Sequence, residues 1–271
     1  MISYAFNYHR ATSLAEAQAL FANSQEAKFL AGGQTLIPAM KQRLSAPSDL
    51  IDIGGLKELS FIEERDGTVV TGATTRHNDV AASPLVWRTI PGLAELAEEI
   101  GDPAVRHMGT VGGSLATSDP AADYPAAVLG LGASIVTTRK IIPADDYFVG
   151  LFQTALDDGE IITEVAFPVP RHAGYAKFRN PASHYAIVGV FVADTRAGMR
   201  VAVTGAGPCA FRAPEMEEAL ARRFDPDSVA GISIPADDLN NDLHASAEYR
   251  AHLVTVMAKR AVTAALGKRR A

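Results

Sequence analysis

The 271-residue sequence predicts an α+β protein, and three observations support this fold class. The first part alternates short apolar runs with amphipathic segments, the middle combines a hairpin signal with a largely helical stretch, and the last part places a strand-rich tract before two helices. Prolines and basic residues lie together between two strands at residues 168–173, directly before Gly174, which predicts a soft domain boundary there.

The first part is predicted to be a small unit of alternating strands and helices. Residues 12–23 begin with Thr12 or Ser13 as N-cap, carry Glu16 near the capping-box position and repeat apolar residues at helical spacing, so we expect a helix there. Beyond it we expect a strand over 27–33, a helix over 35–47 and a strand over 49–56.

The remaining elements follow from turn residues and hydrophobic period. Residues 59–74 predict a hairpin, because their Asp-Gly pair is typical of a two-residue turn. Residues 76–101 are mostly helical with two proline interruptions, and 109–120 are predicted to be a loop that leads into a helix and a strand. Further strands are expected over 160–170, 175–180, 184–194 and 199–207, and amphipathic helices over 213–224 and 246–266.

Composition and charge restrict the partners and the metal chemistry. The net charge of −6 and the pI near 5.6 argue against a nucleic-acid partner, and the basic run at 267–271 is interpreted as a solvated tail. Cys209 is the only cysteine, which excludes a four-thiolate iron–sulfur cluster within this chain. The histidines lack metal-binding spacing, so no metal site is predicted. No leader pattern or membrane-spanning stretch is recognised, and we expect a cytoplasmic protein.

Two glycine-bearing stretches carry the functional prediction. In the first, a strand that ends at Gly32 and Gly33 leads into a helix beginning near Thr35, which gathers main-chain N–H groups and the positive end of a helix dipole at one point. Such a point binds phosphate, glycine leaves room for its oxygens, and Gln34 adds a side-chain donor. On the residues alone, a tight strand-to-helix turn without a ligand is equally open.

The second stretch repeats this chemistry with Thr110, Gly112, Gly113 and Ser114. Two amide-rich stretches from separate subdomains would neutralise a diphosphate without a lysine, which favours a dinucleotide cofactor. Neither stretch fits the P-loop or the G-x-G-x-x-G pattern, so those nucleotide sites are disfavoured.

Two carboxylates, Asp119 and Asp123, follow the second stretch. One of them is expected to cap a helix, because aspartate is a favoured N-cap residue. A carboxylate near a dinucleotide can also accept hydrogen bonds from ribose hydroxyls, as acidic residues do in other nucleotide sites. We assign this second role to Asp123.

The order of several motifs resembles that of one family, the FAD-binding medium subunits of molybdenum hydroxylases. This family includes aerobic carbon monoxide dehydrogenase and the flavin domain of xanthine dehydrogenase. The resemblance extends from about Ala5 to Ala265 and is carried by the motifs FLAGGQTLIPAMKQRL, LIDIGGLKEL, TGATTRHNDV, GTVGGSLATSDPAADYPAAVLGLGA, DDGEIITEV and YAKFRN.

The resemblance implies a two-subdomain FAD-binding fold of the p-cresol methylhydroxylase type plus a C-terminal sheet-and-helix domain. The small α/β subdomain would span residues 1–56 and the second, α+β subdomain residues 57–170. The C-terminal flavoprotein domain would span residues 171–271 and combine a three-stranded sheet with helices.

The resemblance also implies where FAD is held. Its pyrophosphate would lie between Ala31–Thr35 and Thr110–Ser114, with Ala73 in the same site and Asp123 at the ribose. Ser114 departs from an asparagine found in many relatives, which puts one hydrogen bond in doubt. Some distant members attach flavin through a histidine near the first stretch, where this chain has Gln34, so a non-covalent FAD is expected.

For the flavin ring, the resemblance implies the backbone near Ile161 or Ile162, the Lys177 side chain and Tyr185. Lys177 would stabilise negative charge on the reduced flavin. On the residues alone, Lys177 could instead be a solvated edge residue and Tyr185 a core residue. No residue of this chain is assigned a catalytic role.

The family's electron path implies partner subunits. The molybdenum cofactor and the 2Fe–2S clusters are expected only on a large molybdenum subunit and a small iron–sulfur subunit, assembled with this chain as a dimer of heterotrimers, a heterohexamer. The chain would accept electrons from the clusters and pass them to an external acceptor. A free-standing FAD-dependent oxidoreductase and a non-redox nucleotide-binding subunit remain the alternatives.

Overall fold

The computed structural model describes residues 2–267, and within them the chain forms sheets of three, five and four strands, one two-stranded ribbon and ten α-helices. The basic residues 268–270, interpreted from the sequence as a solvated tail, lie outside the described residues. No helix in the described range is long and apolar enough to cross a bilayer. Separate helical and sheet regions confirm the predicted α+β class.

The first sheet is parallel and has the strand order β1-β3-β2. Its strands are β1 (Asn7–Arg10), β2 (Ala27–Leu30) and β3 (Asp49–Asp52), and its helices are α1 (Leu14–Ala22) and α2 (Leu36–Lys41). The sequence prediction missed β1, a four-residue edge strand. It is fixed by pairing with a distant segment, and its His9 side chain hydrogen-bonds Asp49 at 2.7 Å.

Helix α1 begins as its sequence predicts. The Ser13 Oγ accepts from the Glu16 amide at 3.1 Å, and the Glu16 carboxylate accepts from the Thr12 amide at 2.8 Å. Two main-chain donors at the helix start are thereby satisfied reciprocally, which is the reason the capping-box pattern marks a helix N-terminus.

The second sheet is antiparallel with the order β4-β5-β10-β6-β7. Its strands are β4 (Ile62–Arg65), β5 (Thr68–Gly72), β6 (Ser134–Thr137), β7 (Ile141–Pro143) and β10 (Ile162–Pro168), and the separate ribbon pairs β8 (Phe148–Gly150) with β9 (Gln153–Thr154). The predicted hairpin turn is present, with Asp66 and Gly67 both at positive φ, as a primed turn requires.

Six helices lie between β5 and β6 in the chain: α3 (His77–Ala82), α4 (Pro84–Thr89), α5 (Pro91–Glu98), α6 (Pro103–Met108), α7 (Val111–Thr117) and α8 (Tyr124–Leu131). The two prolines predicted to interrupt the helical region do so by opening α4 and α5, where the missing N–H costs nothing.

Helix α7 corrects the prediction of a loop over 109–120. The Thr110 hydroxyl caps it by accepting from the Gly113 amide at 3.2 Å. A Cβ on Gly112 would lie 2.7 Å from that of Ala73, so the helix packs directly on the end of β5. This tertiary contact outweighs the poor helix propensity of two adjacent glycines, which local sequence reasoning could not weigh.

The C-terminal sheet is antiparallel with the order β11-β12-β13-β14. Its strands are β11 (His172–Arg179), β12 (Ala186–Thr195), β13 (Gly198–Thr204) and β14 (Phe211–Arg212), with helices α9 (Pro214–Arg222) and α10 (Ala247–Leu266). The sheet therefore has a fourth, two-residue strand beyond the three expected from the sequence. Residues from both sides of the predicted boundary at 168–173 share one apolar cluster that contains Phe167, Tyr175 and Phe191.

Helix α10 approaches β11 at Gly174. A Cβ there would collide with the Ala261 carbonyl oxygen and lie 2.5 Å from the Ala265 nitrogen. Both are main-chain atoms of a fully packed helix, so neither can move aside without shifting α10.

We predict that Gly174→Ala lowers the free energy of unfolding by about 3 kcal/mol, at the upper end of the range for overpacking. Urea unfolding followed by circular dichroism measures this difference. Gly231→Ala is the matched control, because a Cβ there meets no atom within 4 Å. Equal midpoints for the two variants would contradict the close approach of α10 to β11.

Candidate functional site

A cavity of about 680 Å³ opens between the first sheet, the N-terminal end of α7 and the loop before β12. This volume is in the range of cofactor pockets. Every predicted site residue except Lys177 lines it: Ala31, Gly32, Gly33, Gln34, Thr35, Ala73, Thr110, Gly112, Gly113, Ser114, Asp123, Ile162 and Tyr185.

The first glycine stretch presents unused main-chain donors. Between the end of β2 and the start of α2, the N–H groups of Gly32, Gly33, Gln34 and Thr35 donate no hydrogen bond within residues 2–267. Gly33 has φ +69°, a left-handed conformation that glycine adopts without strain. Thr35 holds the N-cap position of α2 but its side chain makes no capping bond. These amides can therefore receive an anion.

The two glycine stretches touch each other. A Cβ on Gly32 would collide with the Met108 carbonyl oxygen and lie 2.8 Å from the Gly109 Cα. The main chains are thus in direct van der Waals contact, although the two segments lie far apart in sequence. A side chain at residue 32 would push them apart.

The second stretch differs chemically from the first, because the amides of its residues 111–114 are already bonded. The N–H of Val111 donates to the Thr75 oxygen at 3.0 Å and that of Gly112 to the Ala73 oxygen at 2.8 Å. The Gly113 and Ser114 amides both donate to Thr110. The sequence prediction of two equivalent amide-rich stretches therefore does not describe this arrangement. The second stretch offers hydroxyl groups and the positive end of α7 instead.

Asp123 lies in the cavity wall with only 4% of its surface exposed. Its Oδ1 accepts from the Tyr175 hydroxyl at 2.5 Å and from the Lys177 Nζ at 3.0 Å. Burial raises the pKa of the Asp123 carboxyl, and the neighbouring Lys177 opposes this effect. Asp123 stands at the N-cap position of α8 but makes no side-chain capping bond there.

Lys177 is the predicted site residue that does not line the cavity. Its side chain is fully buried behind Asp123, and its Nζ also donates to the Glu99 carbonyl at 2.7 Å, at the C-terminal end of α5. Both partners are electronegative, which compensates the buried ammonium. The placement follows from the packing of β11 against α5 beside the N-cap of α8, which the local sequence does not encode.

Tyr185 and Asp119 complete the outer part of the cavity. Tyr185 is 44% exposed, and burial of the remainder raises the pKa of its hydroxyl. The Asp119 carboxylate accepts from the Ala121 amide at 2.9 Å, so it closes a turn and caps no helix. Burial raises the pKa of Asp119 as well.

Sequence reasoning missed His77 and Thr74, which also line the cavity. His77 Nδ1 and Thr74 Oγ1 have no hydrogen-bond partner in the described part of the chain. Burial lowers the pKa of His77 to about 4, so the imidazole is neutral near pH 7. A Cβ on Gly109 would lie 2.6 Å from the His77 Nε2, and this long-range contact leaves no local sequence signal.

The residues fit a dinucleotide such as FAD. Unused amides at one wall suit the diphosphate, a buried carboxylate suits sugar hydroxyls, and apolar side chains such as Ile100, Val105 and Leu156 suit a flat ring. Within residues 2–267, no group of three or more His, Cys, Asp or Glu side chains could hold a metal ion.

Comparisons with known proteins agree with this fit. Residues 4–170 match the family model described as the FAD binding domain in molybdopterin dehydrogenase, and residues 173–265 match the carbon monoxide dehydrogenase flavoprotein C-terminal domain. The chain is 36% identical to the carbon monoxide dehydrogenase medium chain of Hydrogenophaga pseudoflava, with 98% of each chain covered. It is 35% identical to the nicotine 6-hydroxylase medium subunit of Paenarthrobacter nicotinovorans, with 96% of this chain and 97% of the relative covered.

The solved structure of carbon monoxide dehydrogenase from Hydrogenophaga pseudoflava lacking the Mo-pyranopterin moiety superimposes with a TM-score of 0.89, at 36% identity, over 98% of this chain and 99% of that chain. These matches confirm the predicted fold and the resemblance stated from the motifs. The chain therefore belongs to the family of FAD-binding medium subunits of molybdenum hydroxylases, in the branch that resembles carbon monoxide dehydrogenase.

Proposed function

We propose that this chain is the electron-transfer subunit of a cytoplasmic molybdenum hydroxylase complex. It accepts electrons from the iron–sulfur clusters of a small partner subunit and passes them to an external acceptor. Substrate oxidation takes place on a large molybdenum subunit, and the complex is a dimer of heterotrimers. The observation that carries the proposal is the row of unused amides at Gly32–Thr35, held against the second glycine stretch beside the buried Asp123.

The cysteine content supports a partner for the iron–sulfur step. Cys209 is the only cysteine of the chain, and a 2Fe–2S cluster needs four protein ligands, usually cysteines. The clusters that reduce the flavin must then lie on another subunit. FAD would take up single electrons from the clusters and deliver them, singly or in pairs, to the external acceptor, and this chain would bind it, orient it and tune its potential.

Individual residues have separate tasks in this proposal. The amides of Gly32–Thr35 would bind the diphosphate, and the Ser114 hydroxyl would donate a further hydrogen bond to it. Ala73 would hold the second stretch in place, because it packs against Gly112. The Asp123 carboxylate accepts from a ribose hydroxyl. Ile162 and Tyr185, which line the cavity, would contact the flavin ring. Lys177 acts on the site through Asp123, because its ammonium lies behind that carboxylate.

We predict that Gly32→Ala weakens FAD binding by at least about tenfold, equivalent to about 1.4 kcal/mol. The added methyl group would collide with the main chain of residues 108 and 109 and separate the two stretches that bound the site. Titration of the FAD-depleted chain with FAD, followed by flavin fluorescence, measures the Kd. Gly231→Ala, where a Cβ meets no atom, should keep the wild-type Kd. An unchanged Kd in Gly32→Ala would contradict the proposed seat of the diphosphate.

The FAD is expected to be non-covalent, because no histidine stands beside the first glycine stretch and Gln34 occupies that position. Acid precipitation of the flavin-loaded chain should release the yellow colour into the supernatant. Denaturing electrophoresis should show no flavin fluorescence on the protein band. A pellet that stays yellow would refute non-covalent binding.

Electron transfer is tested by comparing the isolated chain with its complex. We predict that organic donors do not reduce the flavin of the isolated chain, and that the complex with the iron–sulfur and molybdenum subunits reduces it when the donor is added. Stopped-flow absorbance at the flavin band measures both rates. Turnover by the isolated chain would support a free-standing oxidoreductase, and a purified chain with no affinity for FAD would support a non-redox subunit.

A further inference from the structure

Three buried side chains meet behind the cavity wall, namely Asp123, Tyr175 and Lys177. The Asp123 Oδ1 accepts hydrogen bonds from both of the others, at 2.5 Å from the Tyr175 hydroxyl and 3.0 Å from the Lys177 Nζ. The two donors lie two residues apart on β11, so they project from the same face of the strand toward α8. Only Asp123 of the three lines the cavity.

The orientation of the Asp123 carboxylate is therefore set by β11. Aspartate at an N-cap position commonly accepts from amides of its own helix, yet Asp123 makes no such bond to α8. Its Oδ1 already has two donors, and its Oδ2 accepts no hydrogen bond from any residue within the described range. A carboxylate held in this way retains one oxygen for a ligand.

The two donors contribute differently. Lys177 supplies the charge that a buried carboxylate requires, and its ammonium is held in turn by the Glu99 carbonyl. Tyr175 supplies no charge, and burial raises the pKa of its hydroxyl well above the usual value, so that it remains a donor. Its bond fixes the direction of the carboxylate, in the way that outer-shell partners orient a ligand-binding group.

We infer that Tyr175 is a positioning residue, which holds the Asp123 carboxylate so that its free oxygen meets a ribose hydroxyl of FAD. This inference rests on the proposed function, since it takes Asp123 as an FAD contact. It adds a residue that does not line the cavity.

Tyr175→Phe tests the inference, because it removes the hydroxyl and keeps the ring that packs near Phe191. We expect the Kd for FAD to rise about tenfold, in line with the loss of a hydrogen bond to a charged group. Tyr124→Phe is the matched control. Its hydroxyl is also fully buried, next to Asp123 in sequence, but has no hydrogen-bond partner among the described residues. This control should retain the wild-type Kd, and thermal unfolding should show that both variants are folded.

A pH series of the FAD Kd separates positioning from packing. Asp123 is faced by Tyr175 and Lys177 from β11, by Glu99 from the end of α5, by Tyr124 from α8 and by Tyr185 from the loop before β12. The Tyr175 bond lowers the pKa of Asp123, so its removal raises that pKa. If FAD binding needs the ionised Asp123 carboxylate, the affinity for FAD is high above the pKa of Asp123 and falls below it. In Tyr175→Phe the loss should therefore begin at a higher pH than in the wild type.

The double variant Tyr175→Phe, Asp123→Asn shows whether Tyr175 acts through the carboxylate. In the Asp123→Asn background, Tyr175→Phe should have little further effect on the Kd. Additive losses, or wild-type affinity in Tyr175→Phe, would overturn the inference and leave the proposed function standing. A wild-type chain that does not bind FAD would overturn the proposed function, and the inference with it.

Discussion

The close approach of two main chains at Gly32 is the constraint on which the site depends. One glycine stretch ends a strand of the first sheet, and the other precedes a helix that packs on the second sheet. Because a Cβ would not fit between them, the two subdomains can meet closely only at a glycine. Their contact brings unused amides of one stretch beside the hydroxyls and helix end of the other. The cavity is thus a product of subdomain packing as much as of either loop.

Neither stretch contains a lysine or an arginine, so in the proposed site the main-chain amides of the first stretch would neutralise the diphosphate. The amides of the first stretch lack partners and carry fixed partial positive charge, which requires no reorganisation when an anion binds. The amides of residues 111–114 are bonded to the segment that follows β5 and to their own cap, Thr110, so this stretch is rigid. A donor surface beside a rigid wall is an arrangement that limits the entropy lost on binding.

The sequence predicted correctly those helix ends and turns that are stabilised by hydrogen bonds between residues close together in the chain. The capping box of α1 and the Asp66-Gly67 turn are satisfied within a few residues, and both were predicted from the sequence. Other features depend on partners far away in the chain. Helix α7 packs on Ala73, strand β1 pairs with the strand that begins at Asp49, and the Lys177 ammonium is placed by Asp123. The residues of the glycine stretches were recognised by their chemistry, whereas His77 gives no local signal because its role in the cavity comes from packing against Gly109.

The C-terminal sheet also supports the cavity wall, although none of its strand residues lines the cavity and only the loop before β12 reaches it. Asp123 depends on donors from β11, and β11 is held against α5 at Gly92, where a Cβ would lie 3.1 Å from the Ala173 carbonyl. The same strand packs on α10 through Gly174 on its opposite face. Loosening the sheet would remove the two donors from Asp123 and leave a buried carboxylate without compensation, which is costly. Under the proposed role of Asp123, stable docking of the C-terminal sheet and cofactor binding are therefore coupled through one carboxylate.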